Sequence, residues 1–380
     1  MNNPFKSLFL LDPEITYLNH GSFGACPKPI FDSLVSWQKK LELNPVKHLA
    51  VDIFKYLENS RWHLSQYINC DKDDIVFFPN PSTALNAVIR SLDLKNGDEI
   101  LTTNHEYGAL DKTWNFICKK TGAKYIKQNI SLPLQSKKDF INTFIKGINK
   151  KTKVIFISHI TSPTGLIFPI DKICKIAKEN NLFCIIDGAH VPGHIDLDIK
   201  KLDPDIYTGA CHKWMCAPKG TAFLYAKKEI QDYIDPLVIS WGYKSDRPSH
   251  SKYLDYHQWQ GTNDPSPYLT VPDVINFLNK HNWNEVSTNC KKINIEAKAL
   301  VTKLLNKRPL SSDEFVGQMT AIKIKCKDPI KLMEILYRDF KLVVPIVKWE
   351  ENMLLRFSIQ AYNSMEDIEK LIFAMKKLKL

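Results

Sequence analysis

Two polar residues that follow apolar runs have side chains suited to chemistry. Asp187 ends the run CIID, and Lys213 follows the run IYTGA in the segment ACHKW. Polar residues at the ends of buried strands are where an open α/β sheet gathers its ligands. A buried carboxylate is costly unless a cation such as a pyridinium nitrogen offsets it, and a lysine can form an imine with an aldehyde. Together the two residues indicate a pyridine aldehyde cofactor; taken singly, Asp187 would be a helix cap and Lys213 a solvated lysine.

A third segment is suited to a phosphate group. Asn80, Pro81, Ser82 and Thr83 stand at the start of an amphipathic stretch, and proline is favoured in the first turn of a helix. Free N–H groups and the helix dipole at such an end bind anions. Judged alone, the segment is equally well explained as an ordinary helix N-cap.

The elements that position these residues follow from the hydrophobic pattern. Between about residues 70 and 230, short apolar runs alternate with amphipathic stretches, which is typical of a mostly parallel sheet wrapped by helices. The predicted strands are Ile75–Phe78, Glu99–Thr102, Lys124–Gln128, Val154–Ser158, Phe183–Ile186, Ile206–Thr208 and Ala222–Tyr225. Apolar residues spaced i, i+3, i+4 and i+7 predict helices around 85–92 and 170–177.

The texture changes after Tyr268 to lysine-rich helices, a few strands and a C-terminal helix that carries Ile368 to Met375. The strands predicted there are Thr320–Lys325, Lys341–Pro345 and Met353–Ser358. We therefore expect an α/β fold with a large domain at residues 20–265, built on a seven-stranded sheet between helices. A smaller α+β domain is expected from residues 1–19 and 266–380, with the boundary at the turn signal DPSP.

Composition narrows the class of protein. With 380 residues, of which 44% are hydrophobic, the chain is neither a small disulfide-stapled protein nor wholly disordered. The formal charge of +11 comes from scattered lysine pairs without a recognisable nucleic-acid module. Nine cysteines without a CxxC pair predict reduced thiols and no structural zinc. No signal peptide or membrane span is apparent, so a cytoplasmic protein is expected.

A series of segments along nearly the whole chain resembles class V aminotransferases, and most closely their isopenicillin N epimerase-like branch. The segments are YLNHGSFG (17–24), NPSTALN (80–86), HEYGALDKTW (105–114), SHITSPTG (158–165), DGAHVPG (187–193), ACHKW (210–214), QGTND (260–264) and LRFSIQAYN (355–363). The resemblance implies a pyridoxal 5′-phosphate (PLP)-dependent enzyme of fold type I. It also implies a homodimer with active sites shared between subunits and a small amino-acid substrate.

The same resemblance implies roles for residues near the reacting carbon. Lys213 would carry the cofactor as a Schiff base and later move the α-proton, and Asp187 would pair with the pyridine nitrogen. His190, with Ser162 or Thr161, would lie near the ring hydroxyl. Either His105 or Tyr107 would stack on the ring.

Further roles concern the phosphate and the substrate. Ser82, Thr83 and His212 would contact the phosphate, and Gly261 and Thr262 would reach it from the neighbouring subunit. Arg356 would bind the substrate α-carboxylate through its planar, bidentate guanidinium. Asn19 and His20 are expected either to line the substrate pocket or to form a turn before Gly21.

The reaction stays open among processes that begin by breaking a bond at Cα. Epimerisation needs a second acid–base group, for which His105 or Tyr107 is available, whereas transamination or carbon–sulfur lysis of a cysteine conjugate needs only Lys213. Cysteine desulfuration is disfavoured because Cys326, the only cysteine after residue 300, is predicted in a strand. A catalytically inactive PLP-fold binding protein is a less favoured alternative, since both Lys213 and Asp187 are present.

Overall fold

A computed structural model of the chain describes residues 3–380. The strands in this range are β1 (Thr16–Tyr17), β2 (Ile75–Phe78), β3 (Glu99–Thr103), β4 (Lys124–Gln128), β5 (Thr152–Ser158), β6 (Phe183–Asp187), β7 (Ile206–Ala210), β8 (Ala222–Ala226), β9 (Met319–Ile324), β10 (Leu342–Val343), β11 (Ile346–Trp349) and β12 (Asn352–Ser358).

Helices of very different lengths connect these strands. They are α1 (His20–Phe23), α2 (Lys28–Leu43), α3 (Pro45–Lys47), α4 (Ile53–Ile68), α5 (Pro81–Ser91), α6 (Gly108–Thr121), α7 (Lys137–Phe144), α8 (Ile170–Glu179), α9 (Ile199–Leu202), α10 (Lys252–Gln258), α11 (Ser266–Leu269), α12 (Val271–Lys280), α13 (Trp283–Leu304), α14 (Pro329–Phe340) and α15 (Met365–Leu378).

The largest sheet has seven strands in the order β2-β8-β7-β6-β5-β3-β4. Strand β8 runs antiparallel to both of its neighbours, and the other pairs are parallel. The carboxyl ends of β5, β6 and β7 therefore lie side by side. Polar residues that follow these strands meet at one edge of the sheet.

Both faces of this sheet are covered, which explains the continuous apolar runs of its central strands. In β5, Ile155 and Ile157 belong to one core cluster, which includes α8, whereas Val154 and Phe156 belong to the other, which includes α5 and α6. Because side chains alternate along a strand, one strand supplies both cores. The sheet is thus held rigidly at the positions from which site residues extend.

A second, three-stranded antiparallel sheet in the order β11-β12-β9 packs with α13, α14 and α15 around a separate core cluster. The N-terminal segment joins this part of the chain, because β1 pairs in parallel with β10. This connection brings the segment around α1 next to β12, where the Gly21 N–H donates to Ser358 Oγ at 3.1 Å.

The expected fold class is confirmed, and each predicted strand of the large sheet is present to within two residues at either end. The prediction of a strand at Lys341–Pro345 was too long, because Lys341 has a φ of +56° and only Leu342–Val343 pair with β1. Strand β11, Ile346–Trp349, was missed. The division into domains at residues 1–19, 20–265 and 266–380 stays a prediction.

Two further findings concern the chain as a whole. Across residues 3–380, no helix combines the length and apolar character that crossing a bilayer requires. All nine cysteines are free thiols, and no cluster of three or more potential metal ligands occurs in the same range.

The close approach of Gly24 to the loop after β7 generates a stability prediction. Gly24 has φ +69° and ψ 162°, a region that only glycine adopts readily, and a Cβ there would lie 2.3 Å from the His212 carbonyl oxygen. Gly97 has φ +89° but nothing within 4 Å of a Cβ. We expect Gly24→Ala to lower the free energy of unfolding by about 2 kcal/mol or more, and Gly97→Ala by about 1 kcal/mol. Urea unfolding of both variants checks this, and equal losses would contradict the close contact.

Candidate active site

A cavity of about 730 Å³ lies at the carboxyl ends of β5, β6 and β7. Eight of the residues with a predicted cofactor or substrate role line it, namely Ser82, Tyr107, Ser162, Asp187, His190, His212, Lys213 and Arg356. Residues from three distant parts of the chain complete its wall: the N-terminal segment, the large sheet, and the β11–β12 hairpin. Most of the predicted site residues therefore lie together at the sheet edge that the topology indicated.

Asp187 is the last residue of β6 and only 3% exposed. One carboxylate oxygen accepts a hydrogen bond from the Ala189 N–H at 3.0 Å. Burial raises the pKa of Asp187, and the nearby Lys213 charge opposes the rise only in part. Among residues 3–380, no cation lies within ion-pair distance of this carboxylate. A cationic ring nitrogen in the cavity would supply the missing partner.

Lys213 follows β7 and extends into the same cavity. Burial lowers the pKa of its amine to about 8, with the Asp187 charge opposing this change. Its Nζ lies 3.2 Å from His190 Nε2. An amine with this pKa is partly neutral near neutral pH, so it can act as a nucleophile or a base.

His190 is buried beside Lys213 at the start of the loop after β6. Burial, reinforced by the charge of Lys213, holds the pKa of the imidazole well below its usual value. The Trp214 indole N–H donates to His190 Nδ1 at 3.2 Å. The ring is therefore neutral and held on both nitrogens.

Arg356, in β12, is 6% exposed although it has no carboxylate partner among residues 3–380. Its guanidinium donates to the Ser162 carbonyl oxygen and, at 2.7 Å, to Ser22 Oγ. Burial lowers the pKa of the guanidinium to about 10. A fixed, buried cation of this kind without a counterion is suited to an anionic group such as a carboxylate.

The N-terminus of α5 forms another part of the cavity wall. Asn80 caps the helix by accepting hydrogen bonds from the Thr83 N–H at 2.8 Å and from Thr83 Oγ1 at 3.0 Å. Ser82 and His212 face the cavity, and the buried Nδ1 of His212 has no partner in the described structure. Helix N–H groups, a hydroxyl and an unpaired ring nitrogen together fit a phosphate group.

The structure separates the pairs of candidates that the sequence left open. His105 is fully buried, with its ring nitrogens 3.0 Å from Thr164 Oγ1 and 2.8 Å from the Ile130 carbonyl, and its ring stacks on Trp349. His105 is therefore a core residue, and Tyr107 lines the cavity. Ser162 likewise lines the cavity, while Thr161 Oγ1 is engaged with Thr164.

Other expected site residues lie outside the wall of this cavity. His20 is buried behind it, with its ring nitrogens 2.9 Å from the Lys213 carbonyl and 2.9 Å from the Tyr362 hydroxyl. Asn19 accepts a hydrogen bond from Ser22 Oγ at 2.5 Å. Asn19 and His20 thus take the second of the two expected roles, in the turn around Gly21, and a contact of either residue with the substrate stays a prediction.

Three more residues are absent from the wall for different reasons. Thr83 is occupied by the helix cap at Asn80. Gly261 and Thr262 are at least partly exposed and do not line the cavity of their own chain. Their predicted contact with a neighbouring subunit's phosphate stays a prediction.

Sequence reasoning missed several residues of the site. Ser22, Phe23 and Lys219 line the cavity, and nothing in their spacing marked them. Glu106 lies behind the wall, where it accepts from the Ser158 N–H at 2.8 Å and from Thr103 Oγ1 at 2.6 Å. Burial raises the pKa of Glu106 to about 7. Glu106 is itself the second residue of the HEYGA segment, in which only the histidine and the tyrosine were considered as site residues.

Cys326, which the sequence placed in a strand, lies in the turn between β9 and α14. It packs against the core of the three-stranded sheet and does not line the cavity. No cysteine is among the cavity-lining residues.

Comparison with known proteins places these features in a family. The model of the family described as aminotransferase class V matches residues 17–371. An isopenicillin N epimerase of Amycolatopsis lactamdurans is 29% identical over 97% of this chain and 96% of its own length. A probable chloroplastic L-cysteine desulfhydrase of Arabidopsis thaliana is 26% identical over 97% of this chain and 83% of its own.

A solved structure with the same fold is the apo cysteine desulfurase of Thermococcus onnurineus NA1. It superposes with a TM-score of 0.85 at 20% identity, over 100% of this chain and 98% of that one. At this identity the likeness shows the fold alone. It confirms the expected architecture of a mostly parallel sheet between helices.

The lowered pKa of Lys213 generates a prediction for the cofactor-free protein. The unfolded lysine has an ordinary pKa, so at pH 7 burial of the charged amine destabilises the folded state relative to the unfolded state. This destabilisation disappears as pH rises from 8 to 10.5, because the amine is then neutral in the folded protein and becomes neutral in the unfolded chain as well. We expect Lys213→Met to raise the free energy of unfolding by roughly 2 to 3 kcal/mol at pH 7 and by much less at pH 10.5. Denaturant unfolding at both pH values measures this.

The matched control is Lys175→Met, because the Lys175 side chain is 71% exposed. It should change stability little at either pH. A Lys213→Met effect of the same size at pH 7 and pH 10.5 would contradict a depressed lysine pKa.

Proposed function

Because this chain belongs to the class V aminotransferase family, whose cofactor is PLP, we propose that it is an enzyme that removes the α-proton of an amino acid. The observation that carries the proposal is that three groups line one cavity. They are the buried carboxylate of Asp187, the Lys213 amine with its lowered pKa, and the Arg356 guanidinium, which has no carboxylate partner among residues 3–380. Each is suited to a different part of a cofactor–substrate pair.

When bound, PLP links covalently to amines and withdraws electrons from Cα, which makes a bond at that carbon easier to break. Lys213 is proposed to hold the cofactor and then to take up the proton released at Cα. Its lowered pKa supports this role, because a general base works best when its pKa lies near the working pH.

Asp187 is proposed to hold the proton on the cofactor ring nitrogen. Since the carboxylate lacks an ion-pair partner among the described residues, a charged ring nitrogen would both stabilise it and be stabilised by it. His190 and Ser162 are proposed to bind the ring oxygen, and Tyr107 to pack on the ring. Ser82, Thr83 and His212 are the proposed phosphate ligands of this chain, with Thr83 acting only if its bonds to Asn80 rearrange.

Arg356 is proposed to orient the substrate by its α-carboxylate. Two serines already fix the guanidinium plane, so the carboxylate would meet a preorganised fork. A substrate held at this end presents Cα to Lys213, which excludes amines without the carboxylate from productive binding.

Two outcomes after proton removal are supported by different observations. Epimerisation needs a second acid–base group, and Tyr107 is the phenol in the cavity wall. Carbon–sulfur lysis of cysteine or a cysteine conjugate needs Lys213 alone, and relatives named as desulfhydrases match most of this chain. Sulfur transfer to a cysteine is not proposed, since no thiol lines the cavity.

The assembly and location of the enzyme are also part of the proposal. The predicted homodimer would bring Gly261 and Thr262 of one subunit to the phosphate of the other. A cytoplasmic location is supported by nine unpaired thiols, which a reducing compartment preserves.

Exchange of the α-proton tests this proposal directly. We expect the PLP-loaded enzyme in D₂O to introduce deuterium at Cα of its amino-acid substrate, and Lys213→Ala to slow the exchange on the order of 10²- to 10⁴-fold. Proton NMR of a panel of L- and D-amino acids, including L-cysteine and S-alkyl conjugates, measures the exchange. Lys175→Ala is the control for loss of a surface lysine.

The products distinguish the two outcomes. Exchange with inversion and no keto acid would identify an epimerase, whereas pyruvate with ammonia and a released thiol or sulfide would identify elimination. An exchange rate unaffected by Lys213→Ala would refute the assignment of the base.

A further inference from the structure

A buried network of hydrogen bonds surrounds His190 beside the amine of Lys213. The Gln318 backbone N–H, next to β9, donates to His194, whose ring donates to the His190 carbonyl oxygen. The His190 ring separately accepts from the Trp214 indole and lies next to Lys213 Nζ. Gln318, His194, His190 and Trp214 are each at most 4% exposed. Trp214 does not line the cavity, so any effect it has on the site passes through its neighbours.

The direction of each bond at His190 follows from the one group that can only donate. An indole nitrogen carries a proton and has no acceptor lone pair, so Trp214 Nε1 must donate to His190 Nδ1, 3.2 Å away. A neutral imidazole that accepts at Nδ1 carries its proton on Nε2. That N–H is then directed at Lys213 Nζ, also 3.2 Å away, whose neutral amine accepts it.

His194 fixes the indole in turn. The Gln318 backbone N–H donates to His194 Nε2 at 2.6 Å, so the proton of this second imidazole is on Nδ1 and is donated to the His190 carbonyl at 3.0 Å. The ring centroids of His194 and Trp214 are 4.0 Å apart. Two backbone contacts thus fix the His194 ring, and the His194 ring in turn packs against the Trp214 indole and holds it next to His190.

The charged and titratable groups around His190 disfavour its protonation. Lys213, Arg356, His194 and His212 all lower its pKa, in addition to the larger effect of burial. With or without the tryptophan, the ring is therefore neutral. What the indole N–H determines is which of the two ring nitrogens carries the proton.

We propose that Trp214 is a positioning residue that holds His190 in the Nε2–H tautomer, so that His190 always presents a hydrogen-bond donor to the cavity. In the cofactor-free site the acceptor is the neutral form of the Lys213 amine, which predominates above its pKa of about 8. In the PLP-loaded enzyme the same N–H is offered to the ring oxygen, and this second part rests on the proposed function. Lys213, the proposed attachment point of the cofactor, and Trp214, which orients His190, are thus adjacent in the sequence.

Histidine NMR tests the first part without reference to activity. In the full-length protein with ¹⁵N-labelled histidine and tryptophan at about pH 9, where the Lys213 amine is mostly neutral, we expect His190 to be protonated on Nε2, with a coupling between Trp214 Nε1 and His190 Nδ1 across the N–H···N bond. Trp214→Phe should remove that coupling and yield a mixture of His190 tautomers. His190→Leu identifies the resonances. A wild-type proton on Nδ1, or an unchanged tautomer in Trp214→Phe, would overturn the proposal.

A double-mutant cycle on the PLP-loaded enzyme tests the second part. The pH midpoint of the cofactor's visible absorption should rise by roughly one unit in Trp214→Phe, because part of the His190 population no longer donates to the ring oxygen. In a His190→Leu background, Trp214→Phe should cause no further shift. Equal shifts in the two backgrounds would mean that Trp214 acts only by packing, which would overturn the proposal.

Trp114→Phe is the matched control for loss of a buried indole. Trp114 is also fully buried, but its indole N–H has no partner in the described structure. The Trp114→Phe substitution should leave both the His190 tautomer and the pH midpoint of the cofactor absorption unchanged. If no visible band forms with added PLP, the proposed function fails, while the NMR measurement still decides the tautomer.

Discussion

The site depends on a carboxylate that is buried without a cationic partner among the described residues. Asp187 ends the central strand β6, and its neighbours β5 and β7 are buried on both faces. Such a position has a fixed geometry but a high desolvation cost, since within residues 3–380 the Ala189 N–H is the only hydrogen-bond donor to the carboxylate. A seven-stranded sheet with two cores supplies the rigidity. In the proposed enzyme, a cationic ring nitrogen would supply the charge that residues 3–380 do not place there.

Two distant parts of the chain close the cavity over this sheet edge. The N-terminal segment contributes Ser22, and β12 contributes Arg356, to which Ser22 is hydrogen-bonded. Behind them, His20 links the Lys213 carbonyl to the Tyr362 hydroxyl. The loop that carries the amine is thus held by the same elements that fix the guanidinium. The proposed points of cofactor attachment and carboxylate binding are therefore connected through hydrogen bonds and packing.

Patterns within one element predicted the fold and the edge of the sheet at which the cavity lies. The apolar runs before Asp187 and Lys213 located the strands and the cavity edge, because strand ends of a parallel sheet converge. Contacts between distant elements were not predictable in this way. His105, for example, is absent from the cavity wall because its ring contacts Thr164, Ile130 and Trp349 in the core. Neither spacing nor residue type distinguished His105 from Tyr107. Ser22 was missed for the same reason, since its role arises only when β1 pairs with β10.

In the proposed enzyme, one lysine amine carries the cofactor opposite a buried aspartate. Reduction of the PLP-loaded protein with borohydride, followed by peptide mass spectrometry, fixes the attachment point permanently. We expect the pyridoxyl group on the peptide that contains Lys213, and no labelling of that peptide in Lys213→Ala. A pyridoxyl group on another lysine, or none after reduction, would contradict it.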